Sequence, residues 1–385
     1  MSTSKTPPPV DPTTSATESQ GAELSIEQRA TVGLNQGTIV RQRFFRHRGA
    51  VISLFVLAFL VLLAFTSVGV IVGGSGELVV DFTNNTLVVD GYRIAGWWQF
   101  DWWSRHDIML PGGAPTVTVW PFSFGDHPFG QDNTGKDVFA RVMRGMQQSL
   151  IVTFIVGLLS TVIGVVLGAL AGYYRGWIDA IIMRATDVVI IIPLLLLGAV
   201  LGRTYGGDAI SLSIILGLIT WTGMARLVRA EFLSLREREF VDAARVAGAS
   251  DGRIIFRHIL PNTVGVIVVN ATLLMSAVIL LETSLSYLGF GITQPDISLG
   301  QIISEYNEAF KTRPWLFWWP GLFIVIIALC INFIGDGLRD AFDPRQRRVP
   351  NKGGAWSEFV TLAKAYLPGG RPTSVVDTSD ERKDR

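Results

Sequence analysis

Several residue groups in this 385-residue chain have the types and spacing that chemistry requires. Gly130-Gln-Asp-Asn-Thr-Gly135-Lys136 satisfies the Gly-x4-Gly-Lys part of a phosphate-binding loop, in which backbone N–H groups cradle phosphate oxygens. Asp137, however, stands where a Ser or Thr hydroxyl must meet Mg²⁺, and no strand–loop–helix pattern surrounds it, so nucleotide binding here is rejected. The single cysteine, Cys330, lies in an apolar run, which excludes an intrachain disulfide and a cysteine-rich metal centre and leaves a small packed residue. Polar side chains within apolar runs are more telling, because they are costly in lipid and face protein or a wet cavity. Thr220, Asn270, Thr272, Ser276 and Asn332 are of this kind. Glu282, near the end of one such run, either attracts a cationic group at a gate or serves as a hydrogen-bonded structural carboxylate.

The densest patterning lies in Glu237-Arg-Glu-Phe-Val-Asp-Ala-Ala-Arg-Val-Ala-Gly-Ala-Ser-Asp-Gly-Arg-Ile-Ile-Phe-Arg-His-Ile-Leu-Pro-Asn262, which is too polar to span a bilayer. Phe240, Ala243, Ala244 and Ala247 recur at helical spacing and predict a short amphipathic helix that Gly248 terminates. Ser250 or Asp251 can cap a second short helix holding Ile254, Ile255 and Phe256, and Pro261 allows a sharp turn into the next helix. An amphipathic helix resting on anionic lipid is the plainer reading of such a segment.

The elements that position these residues are membrane spans. Hydrophobic residues make up 49% of the chain and charged residues 17%, with a mean hydropathy of +0.39, more apolar than a solvated globular surface allows. A net charge of +1 gives no basic excess for nucleic acid. Apolar runs near the length a bilayer demands occur at 51–72, 149–172, 186–201 with Pro193 inside, 209–225, 262–281 and 316–335. Gly164, Gly168 and Gly172 repeat every fourth residue on the second run and predict close helix packing. Asp187 and Arg184 predict a local ion pair or a helix-start interaction.

Arginine distribution sets the orientation. Arg41, Arg43, Arg46 and Arg48 precede the first span; Arg226, Arg229, Arg236, Arg238, Arg245, Arg253 and Arg257 lie in the 226–261 loop; Arg339, Arg345, Arg347 and Arg348 follow the last span. With six spans all three clusters share the cytoplasmic side, whereas 202–208 carries only Arg203. Both termini are then cytoplasmic, and 73–147, 202–208 and 282–315 face outward. Trp97, Trp98, Trp102, Trp103 and Trp120, with Trp315, Trp318 and Trp319, sit in or beside the outer loops, as interface anchors or as part of a docking surface. Residues 1–35, proline- and hydroxyl-rich and without aromatics, read as a disordered cytoplasmic tail with no cleavable signal.

Asp242, Ala243, Ala244, Gly248, Leu260 and Pro261 resemble the signature of ABC importer permeases, although Asp242 stands for the more general Glu and His258 for Ile. His127-Pro-Phe-Gly-Gln-Asp-Asn-Thr-Gly-Lys-Asp-Val-Phe-Ala-Arg-Val-Met-Arg-Gly-Met-Gln-Gln-Ser-Leu150 is similar to the stretch before the second span in the C-type permeases of dipeptide and oligopeptide uptake, with Lys136 for the more familiar Arg. Segment 41–48, Gly172-Tyr-Tyr-Arg-Gly-Trp-Ile-Asp179 and Leu285-Ser-Tyr-Leu-Gly-Phe-Gly291 add to the likeness, which leaves 73–121 and the C-terminal tail unexplained.

The resemblance implies an all-α integral membrane protein with the type I ABC importer permease fold: six transmembrane helices and a large extracytoplasmic loop between the first and second. It implies a lead-in and first span over 36–72, an outer loop over 73–147, a core with five spans over 148–345 that includes a coupling segment at 226–261, and a cytoplasmic tail over 346–385. Glu239, Asp242, Ala243, Ala244, Gly248, Asp251, Leu260 and Pro261 would couple to cytoplasmic ATPases, while Thr220, Asn270, Thr272, Ser276, Glu282 and Asn332 would line the translocation path. The implied partners are a homologous second permease, two cytoplasmic ATPase domains that bind ATP and Mg²⁺, an external substrate-binding protein, a peptide and the bilayer of a bacterial cell membrane, with no nucleic acid. The chain itself would hold no cofactor or metal and catalyse nothing. Glutathione and nickel complexes are alternative cargoes. An ion-driven carrier is the rival transport mechanism, but no ionisable residue lies deep in the six assigned runs. A membrane scaffold that recruits a cytoplasmic protein through 226–261 is the second rival.

Overall fold

The structure, a computed structural model, describes residues 36–342 apart from 73–77, 82–85, 90–91, 95, 110 and 119–122. The expected tails over 1–35 and 346–385, with Trp120, Arg345, Arg347 and Arg348, lie outside the described residues.

Two helices open the chain, α1 (Gln36–Arg46) and α2 (Arg48–Ser67), separated by His47 in extended conformation, whose Nδ1 accepts from the Ala50 N–H at 3.0 Å. Beyond α2 the strand β1 (Val70–Val72) pairs antiparallel with β4 (Tyr92–Ile94), and β2 (Leu78–Asp81) pairs antiparallel with β3 (Thr86–Val89). These short strands lie at the end of α2 and within the segment expected as the large loop between the first and second spans. The Val- and Leu-rich segments LVVD and TLVV are good strand formers but too short to register in a search for runs of bilayer length.

Helix α3 (Val138–Tyr174) begins the core and has 37 residues, about 55 Å at 1.5 Å per residue, so that it overshoots the hydrocarbon layer that 149–172 alone would fill. Its start is fixed by Asp137, whose carboxylate accepts from the Ala140 N–H at 2.8 Å. The third apolar run is two helices, α4 (Gly176–Ile191) and α5 (Leu194–Tyr205), bent by 85°. The cause is Pro193, which has no N–H to give and forces Ile192 to extended angles. The fourth is likewise a bent pair, α6 (Ala209–Thr220) and α7 (Thr222–Leu235), at 41°.

Helix α8 (Glu239–Val246) is short; the next, α9, runs without interruption over Asp251–Tyr287. The expected turn at Pro261 is therefore absent. A π-turn over Ile254–Ile259, in which the Leu260 N–H bonds to Ile255 O, precedes the proline and fuses the second short helix to the fifth span. Helix α10 (Leu299–Glu305) and α11 (Trp315–Phe342) are the last helices among the described residues. Among the described residues, four helices are long and apolar enough to cross a membrane, α2, α3, α9 and α11, and counting each bent pair as one span gives six. A core cluster joins α2, the start of α3, α9, α10 and α11, and a second joins α3, α7, α8 and α9 at the other end of α3.

Candidate functional site

The polar segment after α7 is built on a glycine seam. A Cβ on Gly164 would lie 2.6 Å from Met224 Cβ, one on Gly168 2.5 Å from Ala225 O, and one on Gly172 2.6 Å from Phe232 Cβ. Only glycine lets α3 and α7 approach this closely, so the stripe read from sequence acquires its partner helix.

Where α3 ends, charged groups bind it to the polar segment. Arg236 hydrogen-bonds to Tyr173 O, and its guanidinium carbon lies 5.9 Å from the Tyr173 ring centroid. The Tyr173 hydroxyl donates to Asp251 Oδ1 at 2.7 Å, and Arg175 meets Glu237 at 2.7 Å. Arg229 forks onto Asp179 at 2.5 and 2.6 Å, and Arg226 reaches Asp187 at 2.6 Å. Asp187 therefore pairs across helices with Arg226 rather than with Arg184: the bend between α4 and α5 and the packing of α7 bring together residues far apart in sequence. The exposed pairs contribute little energy individually, but the forked Arg229–Asp179 pair fixes direction as well as distance.

On α8 the buried residues are Val241 and Ala244, packed in one cluster with Phe232, Ile254, Ile255 and Ile259. The expected apolar face was Phe240, Ala243, Ala244 and Ala247; of these only Ala244 is buried, and the helix is rolled so that Val241 does the inward packing. Left outside are Glu239, Phe240, Asp242, Ala243, Arg245, Val246 and Ala247, with Val246 91% exposed, Phe240 40% and Phe256 on α9 66%. Asp242 and Arg245 form an exposed pair at 2.9 Å. Gly248 ends α8 at φ +77°, and the Ala249 N–H returns to Ala244 O at 3.0 Å, a left-handed helix cap. Ser250 precedes α9 in extended conformation without a side-chain cap bond. Leu260 is half-buried against the same cluster, and Pro261 is exposed.

The polar residues expected along the path divide. Thr220 is buried, donates to Leu216 O at 2.8 Å and pairs with Ser160 of α3; Ser276 is buried and donates to Ala328 O at 3.2 Å. Glu282 is fully buried and accepts from Ser149 at 2.8 Å and Ser286 at 2.7 Å, which makes it a structural carboxylate between α3 and α9 and not an open gate charge. Asn270, Thr272 and Asn332 keep partial exposure; Asn270 bonds to Val266 O, and Thr272 lies where a Cβ on Gly335 of α11 would approach to 2.6 Å.

The opposite end of α3 holds a cluster that sequence reasoning missed. Arg141, 2% exposed, meets Asp132 at 3.2 Å, Glu305 at the end of α10, and the Tyr306 hydroxyl. That hydroxyl donates to Asp132 at 2.7 Å. Burial raises the Asp132 carboxyl, but hydrogen bonds from Tyr306, the Lys136 N–H and Thr134, with the Arg141 charge, outweigh it and hold the group below the usual carboxylate range. Burial likewise pushes the Tyr306 hydroxyl well above the ordinary phenol range and draws the Lys136 ammonium down. One face further along α3, Arg144 forks onto Asp296 at 2.8 Å through two bonds. The loop that mimics a phosphate cradle is thus an Asp132-centred turn. Most of the tryptophans expected at the interface are internal contacts: Trp98 donates to Asp137 at 2.8 Å, Trp319 stacks 4.0 Å from Phe129, and Trp102 is 3% exposed beneath Arg144. Trp97 and Trp318 remain outward-facing.

Residues 164–348 match the family described as binding-protein-dependent transport system inner membrane component, and residues 35–73 match the N-terminal transmembrane domain of oligopeptide transport permease C. The oligopeptide transport system permease protein OppC of Haemophilus influenzae is 33% identical over 322 residues, 84% of this chain and 93% of that protein. A putative peptide permease protein of Brucella ovis is 42% identical over 241 residues, 62% of this chain and 77% of its own length. Among solved structures, an inward-facing MetNI methionine ABC transporter aligns with 52% of this chain and 96% of its own, at 21% identity and a TM-score of 0.44. The chain is a multi-pass membrane protein with the helical permease fold of type I importers. It belongs to the family of inner-membrane permease subunits of binding-protein-dependent ABC importers.

Proposed function

We propose that the chain is the C-type permease of an importer for di- or oligopeptides, and that α8 is the element through which cytoplasmic ATPases drive it. One observation carries this reading: α8 offers Val246, 91% exposed, among charged residues, while the residues on either side of the helix are bound to the end of α3 through Arg175–Glu237 and Tyr173–Asp251. An apolar side chain held out on a braced, charged knob suits insertion into a groove of another protein. Because α7, α8 and the start of α9 are tied to α3, a displacement of the knob is passed to the spans instead of being absorbed in a loop.

In this reading the knob, both termini and the 226–261 segment are cytoplasmic in a bacterial cell membrane. A homologous permease completes the path, two ATPase domains bind ATP and Mg²⁺, and an external binding protein delivers the peptide. The chain positions and moves; it makes and breaks no bonds. ATP shifts the conformational equilibrium because it prefers the closed ATPase pair, and the knob carries that preference into the membrane. Asn270, Thr272 and Asn332, partly exposed on α9 and α11, face the path. The peptide assignment rests on the similarity to peptide permeases of other bacteria; glutathione and nickel complexes are alternatives.

The test is site-directed cross-linking. Cys330 is buried, so Cys330→Ala with Val246→Cys leaves one exposed thiol on the knob. A cross-link to the ATPase subunit whose yield changes with ATP supports the assignment; a Val246→Cys thiol that labels freely and never cross-links in the assembled complex removes it.

A further inference from the structure

The amino-terminal helix poses a separate question. Arg41, Arg43, Arg46 and Arg48 fall in and just after α1, and the sequence has no acidic residue between Glu27 and Glu77. One side of α1 is accounted for: Phe44, 9% exposed, clusters with Val40, Ala50, Leu338 and Ala341. Arg41 and Phe45, one helical turn apart, both face outward, and Phe45 is 59% exposed.

Helix α2 indicates the surroundings of this outward side. Its residues Ile52, Phe55 and Phe59 form an outward stripe, 62%, 70% and 61% exposed, on a span lying in hydrocarbon. His47 breaks the helix immediately before that apolar run, and charged residues at the start of a span belong at the headgroup level. Asp340 lies 3.6 Å from His47. We propose that α1 is an interfacial helix that holds an anionic phospholipid, with Arg41 and Arg48 on the phosphodiester and Phe45 among the upper acyl segments. Charge and depth both favour this occupant: a cationic rim selects negative headgroups, and an aromatic next to it needs an apolar neighbour, which a free phosphate does not supply. The inference does not depend on the transported cargo or on which ATPase α8 meets.

The experiment uses the full-length chain assembled with its partner subunits in nanodiscs of phosphatidylethanolamine with phosphatidylglycerol, followed by native mass spectrometry of the lipids that stay bound. The native complex retains phosphatidylglycerol selectively. Each arginine near an anionic surface contributes about fivefold, so Arg41→Gln with Arg48→Gln lowers retained phosphatidylglycerol by about tenfold or more and leaves phosphatidylethanolamine unchanged. Phe45→Ser lowers retention of both lipids. Unchanged phosphatidylglycerol in the double variant, or equal loss of both lipids in it, overturns the proposal. So does loss of a protein subunit with lipid retention intact, which would make this side of α1 a protein contact. All three side chains are on the surface, and assembly is verified by size exclusion.

Discussion

The hydroxyl of Tyr173, in the last turn of α3, donates to the carboxylate of Asp251, the first residue of α9, at 2.7 Å. The bond joins two helices of 37 residues at the point where the polar segment leaves the bundle. Tyr173→Phe removes one hydrogen bond to a charged acceptor, about 1.5–3 kcal/mol at a partly buried site, without changing ring packing. The expected outcome is a complex that assembles and hydrolyses ATP but transports less substrate per ATP. Paired measurement of uptake and hydrolysis checks it.

The glycine seam and the open glycine of the knob should respond unequally to added volume. Gly168→Val puts a branched side chain where a Cβ already falls 2.5 Å from the Ala225 carbonyl, so α3 and α7 must separate at a cost of about 1–3 kcal/mol or more. No atom lies within 4 Å of where a Cβ on Gly248 would stand, so Gly248→Ala meets only the strain of φ +77°, about 1–2 kcal/mol and local to the cap. Thermal unfolding in detergent should fall clearly for Gly168→Val and little for Gly248→Ala.

The Arg141 cluster predicts an acid-sensitive end of the bundle where α3 begins. Asp132 has its folded pKa lowered, so its stabilising contribution is present above the unfolded carboxylate value of about 3.9 and is lost as pH falls through the folded value. Tyr306 is raised, so its contribution holds below the unfolded phenol value of about 10 and is lost only at higher pH. The cluster should therefore be insensitive to pH between roughly 5 and 9. Arg141→Met leaves a buried carboxylate without its countercharge, at a cost of about 3–5 kcal/mol, and moves the acid loss to higher pH. Melting curves across pH for both proteins check the cost and the direction.

How much of this was legible depends on how local the causes are. The spans, the glycine seam on 164–172 and the end of α8 at Gly248 are short-range patterns, and the folded chain shows them. The roll of α8 onto Val241 was not legible, because whether Phe240 or Val241 points inward depends on where Ile254 and Ile255 stand. Arg141 gives no sign in the sequence, since its partners Glu305 and Tyr306 lie across the fold with no local spacing to betray them. Local spacing pairs Asp187 with the arginine three residues away, whereas the bend at Pro193 and the docking of α7 deliver Arg226. Glu282 reads from sequence either as a gate charge or as a hydrogen-bonded structural carboxylate, and Ser149 and Ser286, which decide for the second, lie on α3 and one turn further along α9.

In the proposed function, Val246 and its surroundings convert ATP hydrolysis into peptide movement. The measurement is ATP-dependent peptide uptake into liposomes holding both permeases, the ATPases and the binding protein, with native Val246 and with Val246→Asp. The account predicts that uptake requires ATP and that Val246→Asp, exposed and harmless to the fold, assembles in the membrane yet loses at least about tenfold in uptake, as removal of an interface anchor does. Uptake that persists without ATP, or that survives Val246→Asp undiminished, would contradict it.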